Sequence, residues 1–185
     1  MRGARITHRY AKSLMDLAIE RKELHVAYEG MLVVANTCSE NRELRAMLQS
    51  PVIHTDKKSS ILKEVFDGVA PIVRDFMDVV VRKKRAGYLP GIAKDLITMY
   101  KEYNNIRTYS VTTASPLTDE LRKKVRDIID KQGHGGTVEL EEHIDPSILG
   151  GFVVRLGDQL LDASLNSRLN ELRQEFSKNP YIADF

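Results

Sequence analysis

Tryptophan is absent from this chain, one cysteine serves 185 residues, and aromatic side chains make up only 6% of it. Net charge is also scarce, because 28 Lys and Arg stand against 26 Asp and Glu, a balance of +2. The lone Cys38 excludes an internal disulfide. Beside Val34 and Ala35 it reads as a small buried hydrophobe, with a reducing, intracellular location the simplest setting. The near-neutral balance excludes a strong global pull toward nucleic acid or an acidic membrane, so any electrostatic partner must act locally. No apolar run approaches the roughly 20 residues that span a bilayer. The opening MRGARITHRYAK lacks the apolar core of a secretion signal. The amphipathic pattern that starts at Ile6 already contains Asp16 and Glu20, unlike a presequence. A soluble or peripheral protein is expected.

Signatures of chemistry are missing too. No glycine-rich run carries the Gly-Lys-Ser/Thr ending with which a P-loop wraps a phosphate. Gly150, Gly151 and Gly157 lie in DPSILGGFVVRLGDQLLDASL. The first two precede a strand and the third sits in a turn, so they read as turn and bulge positions and not as a dinucleotide fingerprint. The GHGG segment 133–136 joins a helix end to a strand, the wrong polarity for an anion-binding helix start. His143 has acidic neighbours but no second histidine or cysteine at metal-ligand spacing. Ser147 and Ser164 lack the strand-turn-helix elbow of a hydrolase. Cys38 lacks a basic neighbour that would lower its pKa. No catalytic residue, cofactor or metal is expected.

What is present is a 42% hydrophobic, 29% charged chain patterned mostly for helices. Up to Tyr103 six amphipathic segments follow one another. Ile6, Tyr10, Ala11, Leu14, Met15, Leu17 and Ala18 share half of the first, opposite Arg9, Lys12, Asp16 and Glu20. Leu24, Ala27, Met31, Ala35 and Cys38 mark the second, and Leu44, Met47 and Leu48 a short third before Pro51. Thr55 is the expected N-cap of a fourth helix carrying Ile61, Leu62, Val65, Phe66 and Val69, with Gly68 at its end. Pro71 opens the fifth. There Arg74, Asp75, Asp78 and Arg82 cluster, leaving about 200° of arc apolar, as in a helix that touches protein on more than one side. Leu89, Ile92, Leu96, Met99, Tyr100 and Tyr103 form the sixth.

After Asn104 and Asn105 the period changes, and a boundary belongs there. IRTYSVTTAS reads as a strand, and Thr118 to Glu120 open a helix with Leu121, Val125, Ile128 and Ile129 on one face and Gly133 at its end. Strands follow around Val138 and Leu140 and from Phe152 to Leu156. Gly157 and Asp158 form a two-residue hairpin turn into QLLDA. Ser164 caps a last helix bearing Leu165, Leu169, Leu172 and Phe176. The expected fold is mainly α: a six-helix N-terminal bundle, residues 1–105, then a smaller α/β domain with a short mixed sheet, residues 106–185. The RKKR run from Arg82 to Arg85 can meet phosphate or anionic lipid, or simply the free carbonyls of a helix end.

The stretch Val138–Gly157, VELEEHIDPSILGGFVVRLG, resembles the signature of the delta subunit of bacterial F-type ATP synthases, a family shared with the mitochondrial oligomycin-sensitivity-conferring protein. RYAKSLMDLA, the Ser50-Pro51 break, VRKKRAGYLPGI, VTTASPLT and LDASLNSRLNEL resemble the same family in the same order. The resemblance implies a non-catalytic stator subunit that links the catalytic head to the peripheral stalk, peripheral on the cytoplasmic face of the bacterial inner membrane. It also implies two partners. N-terminal helices of the alpha subunits would lie in a groove between the first and fifth helices, and the b subunits of the stalk would meet the C-terminal domain.

Mapped on this sequence, the groove would use Tyr10, Ala11, Leu14 and Ala18 with Phe76, Val79 and Val80. Ala11 and Ala18 are small enough to admit a helix closely. Enlarging either is then expected to weaken binding of the alpha subunits and leave the helices intact. A place in the bundle core competes with a place in the groove for each of these residues. Two other functions stay in view. A nucleic-acid adaptor using RKKR would bind RNA or DNA in a salt-sensitive way, and a nucleotide-dependent enzyme would bind ATP or NAD.

Overall fold

The computed structural model describes residues 2–131, 137–156 and 159–177, in a chain that divides into two compact units, Met1–Tyr103 and Asn104–Phe185. The protein is mainly helical, with a small four-stranded mixed sheet.

The first unit holds α1 (Arg2–Glu20), α2 (Leu24–Glu40), α3 (Arg42–Gln49), α4 (Thr55–Val65), α5 (Pro71–Arg82) and α6 (Leu89–Tyr103). A 3-10 turn, Ala86–Tyr88, leads into α6. Asn41 starts α3 by accepting the Leu44 N–H on its side-chain oxygen at 3.0 Å, satisfying a donor the helix leaves free. Pro71 takes the first position of α5, as expected. Thr55 does not cap α4. It is the first helical residue, and His54 occupies the cap position without a side-chain bond. The end of α4 also differs from expectation: the helix stops at Val65, so Phe66 and Val69 are buried from the turn that follows it.

At the ends of α1 and α5 lysine stands where glycine is usual. Lys22 and Lys84 take left-handed backbone, each with φ of 58°. Around Lys84, the N–H of Arg85 donates to the Val80 carbonyl at 3.0 Å and that of Lys84 to Val81 at 2.8 Å. The same pair of bonds recurs around Lys22, so both turns are Schellman ends built without glycine.

α1 and α2 both pack on α6. Gly30 lets α2 approach α5, because a Cβ there would stand 2.9 Å from Val69 and 3.0 Å from Val73. Lys58 is a core lysine. It is 7% exposed, and its ammonium donates to the Leu48 and Ser50 carbonyls, both at 2.7 Å, tying the start of α4 to the end of α3.

The second unit holds β1 (Ile106–Thr113), α7 (Asp119–Lys131), β2 (Thr137–Ile144), β3 (Phe152–Leu156), β4 (Gln159–Asp162) and α8 (Leu165–Ser177). The sheet order is β2-β1-β3-β4. β1 and β2 run parallel with α7 as their crossover, while β3 pairs antiparallel with both β1 and β4. Tyr109, Val111 and Val154 of the sheet meet Leu117, Val125 and Ile129 in its core. The GHGG segment and the Gly157-Asp158 turn lie outside the described residues.

Gly150 and Gly151 are explained by the chain that passes beside them. Gly151 has φ of 78°, and a Cβ there would collide with the Ala163 carbonyl oxygen. The Gly150 carbonyl accepts the Leu165 N–H at 3.0 Å, and the Phe152 carbonyl accepts that of Ala163 at 2.9 Å. Gly151 thus admits backbone to backbone at the entrance of α8, and a Cβ at Gly150 would stand 2.8 Å from the Leu165 side chain.

Candidate partner-binding faces

On α1 and α5 the seven residues expected at a groove separate into two sets. Ala11, Leu14, Ala18 and Val80 have no exposed surface, and Phe76 keeps 9%. They belong to one core cluster with Ile92, Ala93 and Leu96 of α6. Ala11 and Ala18, expected to admit a partner helix closely, are fully buried here, and their small side chains let elements pack closely within the unit. Tyr10 and Val79 are accessible, Tyr10 half-buried and Val79 49% exposed.

The two helices do meet at this point. Tyr10 packs edge-on against Phe76 with ring centroids 6.4 Å apart, and the Arg85 guanidinium lies 5.7 Å from the Tyr10 ring. Val79 follows Phe76 by three residues, close to one turn further along α5. Ile6 and Leu17 are also half-buried and flank Tyr10 along α1. The wide apolar arc of α5 is otherwise consumed internally, by Ile72, Val73, Phe76, Met77, Val80 and Val81.

The polar edge of α5 is fixed to its neighbours. Asp78 accepts from Ser59 of α4 at 2.5 Å and pairs with Arg82 at 2.7 Å. The Ser59 hydroxyl, then Arg82 and Lys63, hold its carboxyl below the ordinary range against the opposing effect of burial. Anchored on that side, α5 presents Val79 to the outside. Cys38 is buried at 1% exposure, and desolvation pushes its thiol pKa up, the opposite of an activated nucleophile. Among the described residues no group of three or more His, Cys, Asp or Glu is placed to hold a metal.

The second unit carries a face that periodicity alone had not marked as outward. Leu165, Leu169, Leu172 and Phe176 of α8 are 50%, 47%, 47% and 86% exposed. Their spacing of four, three and four residues places them in one stripe. Leu149 at 66%, in the turn before β3, and Leu160 on β4 are exposed as well. Such a row of large exposed apolar side chains is a candidate interaction surface. Its sequence signal was the amphipathic period of the last helix, which does not say whether the apolar side faces its own domain or a partner.

The start of α8 is built firmly beneath this stripe. Ser164 Oγ accepts the Ser167 N–H at 3.2 Å. Asp162 accepts the Ser164 N–H at 2.8 Å and the Ser167 hydroxyl at 2.6 Å. Those bonds, the Ser167 hydroxyl foremost, hold the Asp162 carboxyl below its ordinary pKa.

No helix among the described residues is long and apolar enough to cross a membrane. The chain is similar to the ATP synthase subunit delta of Christiangramia forsetii, with 36% identity over 183 residues covering 99% of both chains. It is 32% identical to that of Cytophaga hutchinsonii, over 96% of this chain and 97% of the relative. Its fold resembles a chain in the cryo-EM structure of the Toxoplasma gondii mitochondrial ATP synthase hexamer, with a TM-score of 0.67 at 22% identity, covering 94% and 98% of the two. Residues 6–176 match the model of the ATP synthase delta (OSCP) subunit, and this chain belongs to that family.

Proposed function

We propose that the chain joins the catalytic head of a bacterial F-type ATP synthase to its peripheral stalk, on the cytoplasmic face of the inner membrane, through two domains with different partners. As a member of the delta family it is a non-catalytic stator subunit of the synthase. The domain of residues 1–105, a bundle of six helices, holds an amphipathic N-terminal helix of the alpha subunit across α1 and α5. The domain of residues 106–185 holds the C-terminal ends of the stalk b subunits. A head held in this way cannot turn with the rotor, so torque is spent on synthesis.

The observation that carries the first contact is the junction of Tyr10 with Phe76 beside exposed Val79. An apolar helix laid there buries the Tyr10 ring edge and Val79 at about 25 cal/mol per Å², before the costs of association. The leucine stripe of α8 supports the second contact in the same way, and helix-in-groove recognition uses such i, i+3, i+4 anchors.

The test is the affinity of the full chain for a synthetic peptide that carries the N-terminal helix of the alpha subunit. Val79→Glu places a charge on the apolar contact and should weaken binding by about tenfold or more. Its far-UV circular dichroism should match that of the parent, since Val79 is 49% exposed and lies outside the buried core cluster. Unchanged affinity in that folded variant removes the α1 and α5 assignment.

A further inference from the structure

We propose that the cavity between the end of α3, the start of α4 and the turn after α5 binds a phosphate-bearing small molecule. Its volume is about 670 Å³, within the range of small-molecule sites. His54, Lys58, Lys84 and Arg85 line it, and no carboxylate does among the described residues.

The buried cation in this wall is unusual. Lys58 is 7% exposed, and its only partners among the described residues are the uncharged Leu48 and Ser50 carbonyls. An ammonium has three N–H donors, so one remains for an incoming group. Among the described residues no ion pair joins Lys58 or Lys84 to a carboxylate, and the Arg85 guanidinium lies over the Tyr10 ring. A desolvated cation without a counter-charge is costly, and an anion entering the cavity relieves that cost. Phosphate, with several strong acceptor oxygens, can meet an ammonium and a guanidinium together. The remaining wall includes Ile53 and Tyr88, which suits a ligand whose phosphate is attached to an uncharged body.

The basic run thus divides by position. Lys84 and Arg85 face the cavity, whereas Arg82 pairs with Asp78 outside it and Lys83 is exposed to solvent. Lys84 also sits at φ of 58°, where glycine is at ease, so Lys84→Gly removes the cation while favouring the native turn.

Calorimetric titration of the full chain with inorganic pyrophosphate, at constant ionic strength, should give saturable 1:1 binding. Lys84→Gly should weaken it about tenfold and Lys83→Gln less than about twofold. Amide shifts on titration should centre on residues 48–58 and 84–88. Absence of saturable binding overturns the proposal. So does an equal loss in Lys83→Gln, which would mean diffuse surface charge. Flotation with phosphatidylglycerol vesicles, without binding of soluble pyrophosphate, overturns it in favour of a membrane surface.

Discussion

Ala11 shows how one small side chain can support opposite readings. On a helical wheel it lies on the apolar stripe, where it suits either a partner helix or a neighbour in the same domain. In the fold it has no exposed surface and belongs to the cluster that includes Leu96 and Val80. Ala11→Leu must therefore insert three carbons into a filled core, at a cost of about 1–3 kcal/mol. The urea midpoint of the first domain should fall accordingly, with the slope unchanged. A variant as stable as the parent would mean that open space lies beside Ala11. Loss of alpha-peptide binding by Ala11→Leu cannot report on a groove, because stability is lost with it. Val79 is the residue at which contact and folding can be separated.

At the scale of elements, proline and serine starts were legible because each carries its own local physics: Pro71 has no N–H to leave free, and Ser164 supplies an acceptor to Ser167. The ends of α1 and α5 were not legible, since lysine, a residue that normally continues a helix, occupies the left-handed position at 22 and 84. The Lys58 bond to the end of α3 was hidden for a related reason: a lysine near a helix start reads as solvated, and only the fold brings its ammonium to carbonyls ten and eight residues back. The α8 stripe was legible as a pattern but not as a surface. Leu121, Val125 and Ile129 have the same period and close on their own sheet, whereas Leu165, Leu169 and Leu172 remain open. The α8 start yields a prediction. Asp162 and Asp145 are both held below the ordinary carboxylate pKa, Asp162 by Ser167 and Ser164, Asp145 by Ser147. A carboxyl depressed in the folded state contributes stability that is present above its unfolded pKa of roughly 4 and is lost as pH falls through the folded value. The second domain should therefore weaken on acidification through that range. Asp162→Ala should cost about 1 kcal/mol at neutral pH and flatten the acid dependence. Amide signals of β4 and α8 followed against urea and pH measure both effects, and an unaltered acid profile in the variant would remove Asp162 as the source.

At the scale of the whole molecule the two domains differ in what they bury. The first closes one continuous core running from Ala11 through Met31, Phe66 and Val73 to Leu96. The second closes a smaller one around Tyr109, Val111 and Val125, and leaves a row of leucines on α8 exposed. Folding must offset conformational entropy residue by residue, and apolar burial is the main term that does so. The domain with less burial per residue should yield first. Urea titration of the full chain, followed by resolved amide signals, should show two transitions, with residues of β1 to α8 preceding those of α1 to α6. The same contrast bears on assembly. A partner that covers the α8 stripe binds only the folded second domain, and it stabilises that domain by mass action, about 2.7 kcal/mol at a hundredfold excess over its Kd. Adding a peptide from the carboxyl-terminal end of the stalk b protein should move the first transition to higher urea and leave the second in place. Adding the alpha peptide should do the reverse. A single transition, or one that both peptides shift together, would mean that the domains fold as one unit and that the assignment of separate partners to separate cores is mistaken.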